Sequence, residues 1–216
     1  MVNKEFKTIL GQYNNQIEIN KSIFITNIKR CNDEEESVKF IEEISSQYRD
    51  ATHNCTAYIN GENQLIQRYN DDGEPSGTAG IPMLEVLKKE ELTNICAVVT
   101  RYFGGKKLGA SGLIRAYGQS VSECIKKSEI IWFKNYHKVK ISFEYPYLGK
   151  IDNFISNNNF FIKDRKYLDI IENIMYISIN EFEFFKTQLM EITSANINLE
   201  ILETVLLKTK NNEIIE

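Results

Sequence analysis

Thr100-Arg101-Tyr102-Phe103-Gly104-Gly105-Lys106-Lys107-Leu108-Gly109-Ala110-Ser111-Gly112-Leu113-Ile114-Arg115 carries the plainest structural instruction in the chain. It completes an apolar run, Ile95 to Tyr102, whose middle, Cys96-Ala97-Val98-Val99, has no polar face, and this predicts a strand buried on both sides. Glycines then loosen the backbone from Phe103 to Ala110. Leu113, Tyr117, Val121 and Cys124 follow at helical spacing and predict a helix from about Gly112 to Lys127. Strand, glycine loop and helix in succession specify a domain that mixes α and β structure.

Working toward the N-terminus, Thr78 to Lys89 reads as a helix with Pro82 in its first turn, preceded by an acidic loop, Asn70 to Gly77. Cys55 to Asn60 and Gln64 to Tyr69 flank Asn60-Gly61, a hairpin signal. Asn32-Asp33-Glu34-Glu35-Glu36 supplies a cap and first-turn acids to a helix whose apolar positions are Val38, Ile41, Ile44 and Tyr48. Gln16 to Asn20 and Ser22 to Lys29 alternate as strands. Toward the C-terminus the texture changes. Eight of the eleven glycines lie between Gly73 and Gly118 and only Gly149 comes later, so we divide the chain near Asn135, into 1–134 and 135–216. The second part runs strand His137 to Tyr145, helix Pro146 to Asn157, strands Phe160 to Lys166 and Asp169 to Ser178, helix Glu181 to Thr193, strand Asn196 to Leu207. That βαββαβ order is the ferredoxin-like arrangement.

Composition excludes several classes. At 216 residues, 42% apolar and 26% charged, the chain matches an ordinary globular protein and not a disordered, collagen-like or disulfide-stapled one. No apolar run approaches the roughly 18 residues a membrane span needs, and no leader is visible, so the expected compartment is the cytoplasm and no membrane partner is expected. Cys31, Cys55, Cys96 and Cys124 stand far apart with no CxxC, and His53 and His137 are remote from each other, which argues for buried thiols and against a zinc site. The net charge of −4 means that any nucleic-acid role must come from a local patch.

Such a patch exists. Between Arg101 and Lys134 there are seven basic and two acidic residues, whereas Asp71 to Glu91 has two basic and six acidic. Free amides at a helix start attract phosphate or carboxylate, and here they follow a loop with two lysines. The candidate anion-binding set is therefore Arg101, Gly104, Gly105, Lys106, Lys107, Gly109, Ser111, Gly112 and Arg115. The loop is not a P-loop, because Ala110 stands where the phosphate-gripping lysine belongs, and it lacks the dinucleotide G-x-G-x-x-G. A secondary set comprises His53, Asp71, Asp72, Glu74, Ser76 and Thr78. Its three acids have the oxygen ligands magnesium prefers, but Asp72-Gly73 and Pro75 are first of all turn chemistry. His53 is weighed as a general base against a structural histidine, and Ser76 and Ser111 lack the G-x-S-x-G elbow. The sequence therefore assigns no catalytic residue, metal or cofactor.

The long motifs Asp71-Asp72-Gly73-Glu74-Pro75-Ser76-Gly77-Thr78-Ala79-Gly80 and Val99-Thr100-Arg101-Tyr102-Phe103-Gly104-Gly105 through Arg115-Ala116-Tyr117-Gly118, with Ala51-Thr52-His53-Asn54-Cys55 and Lys21-Ser22-Ile23-Phe24-Ile25, resemble the IMPACT family and its bacterial YigZ-like branch. The resemblance spans almost the whole chain. It implies an α+β protein: an N-terminal domain with the left-handed βαβ fold of a ribosomal protein, then a ferredoxin-like domain similar to the last domain of elongation factor G. It also implies a role linked to translation, with RNA or the ribosome as the expected partner. The chain departs from the family pattern at Ile23, Lys106 and Ser111, which shifts where basic contacts fall.

Three functions follow as expectations. The first is a non-enzymatic translation regulator that binds RNA or the ribosome through the glycine-rich basic loop. The second is a magnesium-dependent enzyme, or a binder of a small phosphorylated ligand. The third is an adaptor that docks a protein of the translation machinery. The sequence fixes no oligomeric state.

Overall fold

β6 (Ile95–Tyr102) lies at the centre of a five-stranded sheet and explains why that sheet exists. In the computed structural model, which describes residues 4–211 and 213–215, Ile95, Ala97 and Val99 enter one apolar cluster while Cys96 and Val98 enter another on the opposite face. A strand buried on both faces needs helices on both sides, and it has them. The strands before it are β1 (Phe6–Ile9), β2 (Gln12–Ile19), β3 (Ser22–Arg30), β4 (His53–Asn60) and β5 (Ile66–Asn70). The sheet order is β2-β3-β6-β4-β5, with every neighbouring pair antiparallel. Helix α1 (Glu34–Gln47) covers one face; α2 (Gly80–Lys89) and α3 (Gly109–Lys126) cover the other.

The sequence expectations hold closely for these elements, with two corrections. α1 is capped by Asp33, whose carboxylate accepts from the Glu36 amide at 2.8 Å, but its buried stripe is Ser37, Phe40 and Ile44, and Val38 is exposed. The larger Phe40 ring turns the helix by about one residue, and Ser37 tolerates burial because its hydroxyl donates to Asn60 Oδ1 at 3.0 Å. The hairpin signalled by Asn60-Gly61 forms between β4 and β5. Gly61 is left-handed, and the loop continues to Gln64, whose amide returns to the Gly61 carbonyl at 2.8 Å. α3 starts at Gly109, about a turn earlier than its apolar spacing predicts.

The chain forms two compact units. One is Phe6–Trp132; the other takes in the described residues from Phe133 onward together with Lys4 and Glu5. β7 (Ile130–Phe143) runs through the change of unit. The second unit continues with α4 (Leu148–Asn157), β8 (Phe161–Tyr167), β9 (Ile171–Ser178), α5 (Phe182–Thr193), β10 (Asn198–Lys210) and β11 (Glu213–Ile214). Its sheet order, β11-β10-β7-β9-β8, contains the split βαβ arrangement of a ferredoxin-like fold. β9 alternates strictly, burying Ile171, Met175 and Ile177 against Ile151 and Phe154 of α4 and Phe185 and Leu189 of α5. The molecule is an α+β protein of two domains, as the βαββαβ pattern and the resemblance imply.

Candidate functional site

Antiparallel register assembles the site. Arg101 at the end of β6 lies opposite His53 on β4 and Phe24 on β3. This brings together side chains far apart in sequence. Arg101 is only 5% exposed, and its Nη1 donates to Glu74 Oε1 at 2.5 Å. The Tyr117 hydroxyl of α3 donates to the same oxygen at 2.8 Å. Arg101 packs over the Phe24 and Phe103 rings, with its central carbon 5.5 and 5.7 Å from their centroids. By sequence Arg101 is a candidate phosphate contact. The fold instead commits its charge to a buried ion pair, because a buried carboxylate such as Glu74 requires a cation.

The acidic loop is equally committed. Asp72 and Gly73 both have positive φ, as the reversing turn requires. Asp71 accepts from the amides of Gly77 at 2.8 Å, Ala79 at 3.1 Å and Gly80 at 2.8 Å, so its carboxylate caps the start of α2 from nine residues upstream. Asp72 accepts from the Asn54 amide at 2.6 Å. Its carbonyl lies 2.7 Å from His53 Nδ1, and since a carbonyl can only accept, Nδ1 carries the proton. His53 Nε2 is then left 3.9 Å from Glu74 Oε2. Thr78 is buried and donates to the Pro75 carbonyl at 2.6 Å; Ser76 is exposed. Among the described residues, no group of three or more His, Cys, Asp or Glu side chains is arranged to hold a metal ion.

Beneath this network, the Cys55 thiol donates to the Asp71 carbonyl at 3.0 Å and also lies 3.3 Å from the Tyr117 hydroxyl. Burial pushes the thiol up to about 12 and raises the Tyr117 phenol far above its ordinary value. Cys55 is therefore a neutral hydrogen-bonding group and not a thiolate nucleophile. All four cysteines are buried and free.

Above the network opens a cavity of about 350 Å³. Arg101, Glu74 and Leu113 make its buried floor; Phe103, Pro75 and Lys107 stand exposed on its rim with the first residues of α3, Gly109 and Ala110. α3 has no side-chain cap, and among the described residues no side chain accepts from the amides of Gly109, Ala110 or Ser111. Lys106, Ser111 and Arg115 are exposed close by in sequence, and Gly112 is half-buried. The glycines before the helix serve differently from the sequence expectation. The Gly104 amide donates to Ser22 Oγ at 3.2 Å, and a Cβ at Gly104 would lie 2.0 Å from the Lys21 carbonyl carbon and oxygen, so this residue buys close backbone approach. Gly105 and Gly109 adopt the left-handed conformation that turns the loop into the helix. The Gly104 amide is therefore committed within the fold. Thr52, Phe103 and Leu108 also line the cavity, and no motif of the sequence singles them out as site residues.

The fold and this cavity define a two-domain α+β protein with an uncapped helix start beside a cavity over a closed polar network. The Impact N-terminal domain family matches residues 20–125, and a domain of unknown function (DUF1949) matches residues 141–196. The chain is 46% identical over 201 residues to the IMPACT family member YvyE of Bacillus subtilis, covering 93% of each chain. It is 34% identical to an IMPACT family member of Haemophilus influenzae, covering 86% of this chain and 91% of that one. Over 112 residues, 51% of this chain and 55% of the relative, it is 41% identical to the IMPACT family member YigZ of Escherichia coli. A crystal structure described as that of a hypothetical protein superposes with a TM-score of 0.59 at 27% identity, covering 93% of this chain and 98% of its own. This chain belongs to the IMPACT family. No helix among the described residues is long and apolar enough to cross a membrane.

Proposed function

We propose that this protein is a non-enzymatic, cytoplasmic regulator linked to translation, and that it holds RNA, free or in the ribosome, by its phosphates at the start of α3. Family membership supports the link to translation. One observation carries the ligand: the amides of Gly109, Ala110 and Ser111 have no side-chain cap, and Gly109 and Ala110 border an open cavity with Lys107 on its rim. A helix start contributes about half a positive charge and unpaired donors, the natural complement of a phosphate oxygen. Lys106, Lys107 and Arg115 add exposed charge along the same stretch. Contacts of this kind position a nucleic acid without reading its sequence. Asp71, Asp72 and Glu74 Oε1 already accept from the α2 amides, from Asn54 and from Arg101, and are engaged within the fold. The double variant Lys106→Ala/Lys107→Ala tests the reading. Its single-stranded RNA affinity should fall, and the slope of log affinity against log salt should shrink by about 1.4, roughly 0.7 per lost phosphate contact. An unchanged slope removes these lysines from the interface.

A further inference from the structure

We propose that the cavity beside α3 takes one nucleoside monophosphate unit, so that RNA is captured by a phosphorylated end and not along its length; this rests on the phosphate reading above. The cavity is closed below. Arg101, Glu74 and Leu113 are all buried, whereas a polymer threading through needs an exit. At about 350 Å³ it lies at the small end of ligand pockets, which start near 300 Å³. A terminal phosphomonoester carries about −1.5 to −2 charges near neutral pH, more than the single charge of an internal diester, and the open amides of α3 favour the denser anion.

Buried side chains of the floor keep polar atoms without partners among the described residues. Arg101 Nε is buried with no hydrogen-bond partner among the described residues, in a side chain that lines the floor. His53 Nε2 and Glu74 Oε2 stand 3.9 Å apart, both acceptors that cannot bond each other, and each can accept from one hydroxyl of a sugar diol. Their geometry orders the ligand. Glu74 repels phosphate from the floor, so the phosphate sits at the rim on the α3 amides and Lys107, and the sugar hydroxyls reach inward. Phe103, 47% exposed on the rim, offers a ring face for the base.

The shared chemistry has two sources, an RNA end and a free mononucleotide, and the experiment separates them. The affinity of the full chain is measured for one RNA sequence in three forms: 5′-phosphorylated, 5′-hydroxyl, and circular. Thermal shift is measured with adenosine monophosphate. Ala110→Asp is the discriminating variant, because an acid in the first turn of α3 favours the helix while repelling phosphate. The phosphorylated end should bind about tenfold more tightly than the other two forms, the worth of one or two charge-assisted hydrogen bonds, and Ala110→Asp should erase that difference. Equal binding of all three forms, lowered only by Lys106→Ala/Lys107→Ala, overturns end capture and leaves the phosphate reading standing. A mononucleotide shift abolished by Ala110→Asp without any RNA binding keeps the cavity's ligand and overturns the RNA reading. Neither shift nor binding overturns both.

Discussion

The starts of α2 and α3 look alike in sequence and differ in what the fold does with them. Each follows a glycine-rich loop, and each packs on the same face of the five-stranded sheet. At α2, the Asp71 carboxylate takes the amides of Ala79 and Gly80, and Glu74 from the same loop closes on Arg101 and Tyr117. At α3 no side chain among the described residues does this for Gly109, Ala110 or Ser111, and the cavity lies beside the first two. A helix start satisfied from within is architecture; one left open beside a cavity is available to a ligand.

Breaking the closed start should have the largest effect. Glu74→Ala leaves the Arg101 guanidinium buried without its counter-charge, and should lower unfolding stability in urea by about 3–5 kcal/mol. Asp71→Ala makes α2 resemble α3 by removing the acceptor of three amides. The expected loss is about 1–3 kcal/mol, read as a lower urea midpoint, with amide exchange quickened at Gly77, Ala79 and Gly80.

A pH series compares the thiols that underlie the two helices. Burial pushes Cys55, under the Asp71 loop, up to about 12, and Cys124, on α3, up to about 12. Both stay protonated in the folded chain while the unfolded chain ionises near the ordinary value of 9.0. Their stabilising contribution is therefore whole below about pH 9 and is lost as pH rises toward 12. Under reducing conditions Cys124→Ala should flatten the alkaline fall of stability by about 1 kcal/mol per pH unit. The smallest effect makes α3 resemble α2: Ala110→Asp should raise the melting temperature slightly, the worth of about 0.3–1 kcal/mol from an acid beside free amides.

Much of this fold was legible because periodicity is local. The apolar middle of β6 and the alternation of β9 each state which faces are buried, and the predicted βαββαβ order matches the second sheet. β1 and the opening of β7 were missed, because Phe6-Lys7-Thr8-Ile9 and Ile130-Ile131-Trp132-Phe133 are too short or too uniformly apolar to show a period of two. The site was legible only in part. The loop, its lysines and the helix start could be quoted from the sequence, but Arg101 and Glu74 are 27 residues apart and Tyr117 and Glu74 are 43 apart. No spacing rule joins them; only the sheet register does. Arg101 in isolation reads as a phosphate ligand, and only its buried carboxylate partner reveals its work.

The most direct test follows the backbone amides of both helix starts by NMR while adenosine monophosphate or 5′-phosphorylated RNA is added. The signals of Gly109, Ala110 and Ser111 should move in a saturable way, while those of Gly77, Ala79 and Gly80, held by Asp71, stay in place. Saturable movement confined to the α2 amides, or none at either start while the ligand binds elsewhere, would contradict the assignment of the phosphate seat to α3.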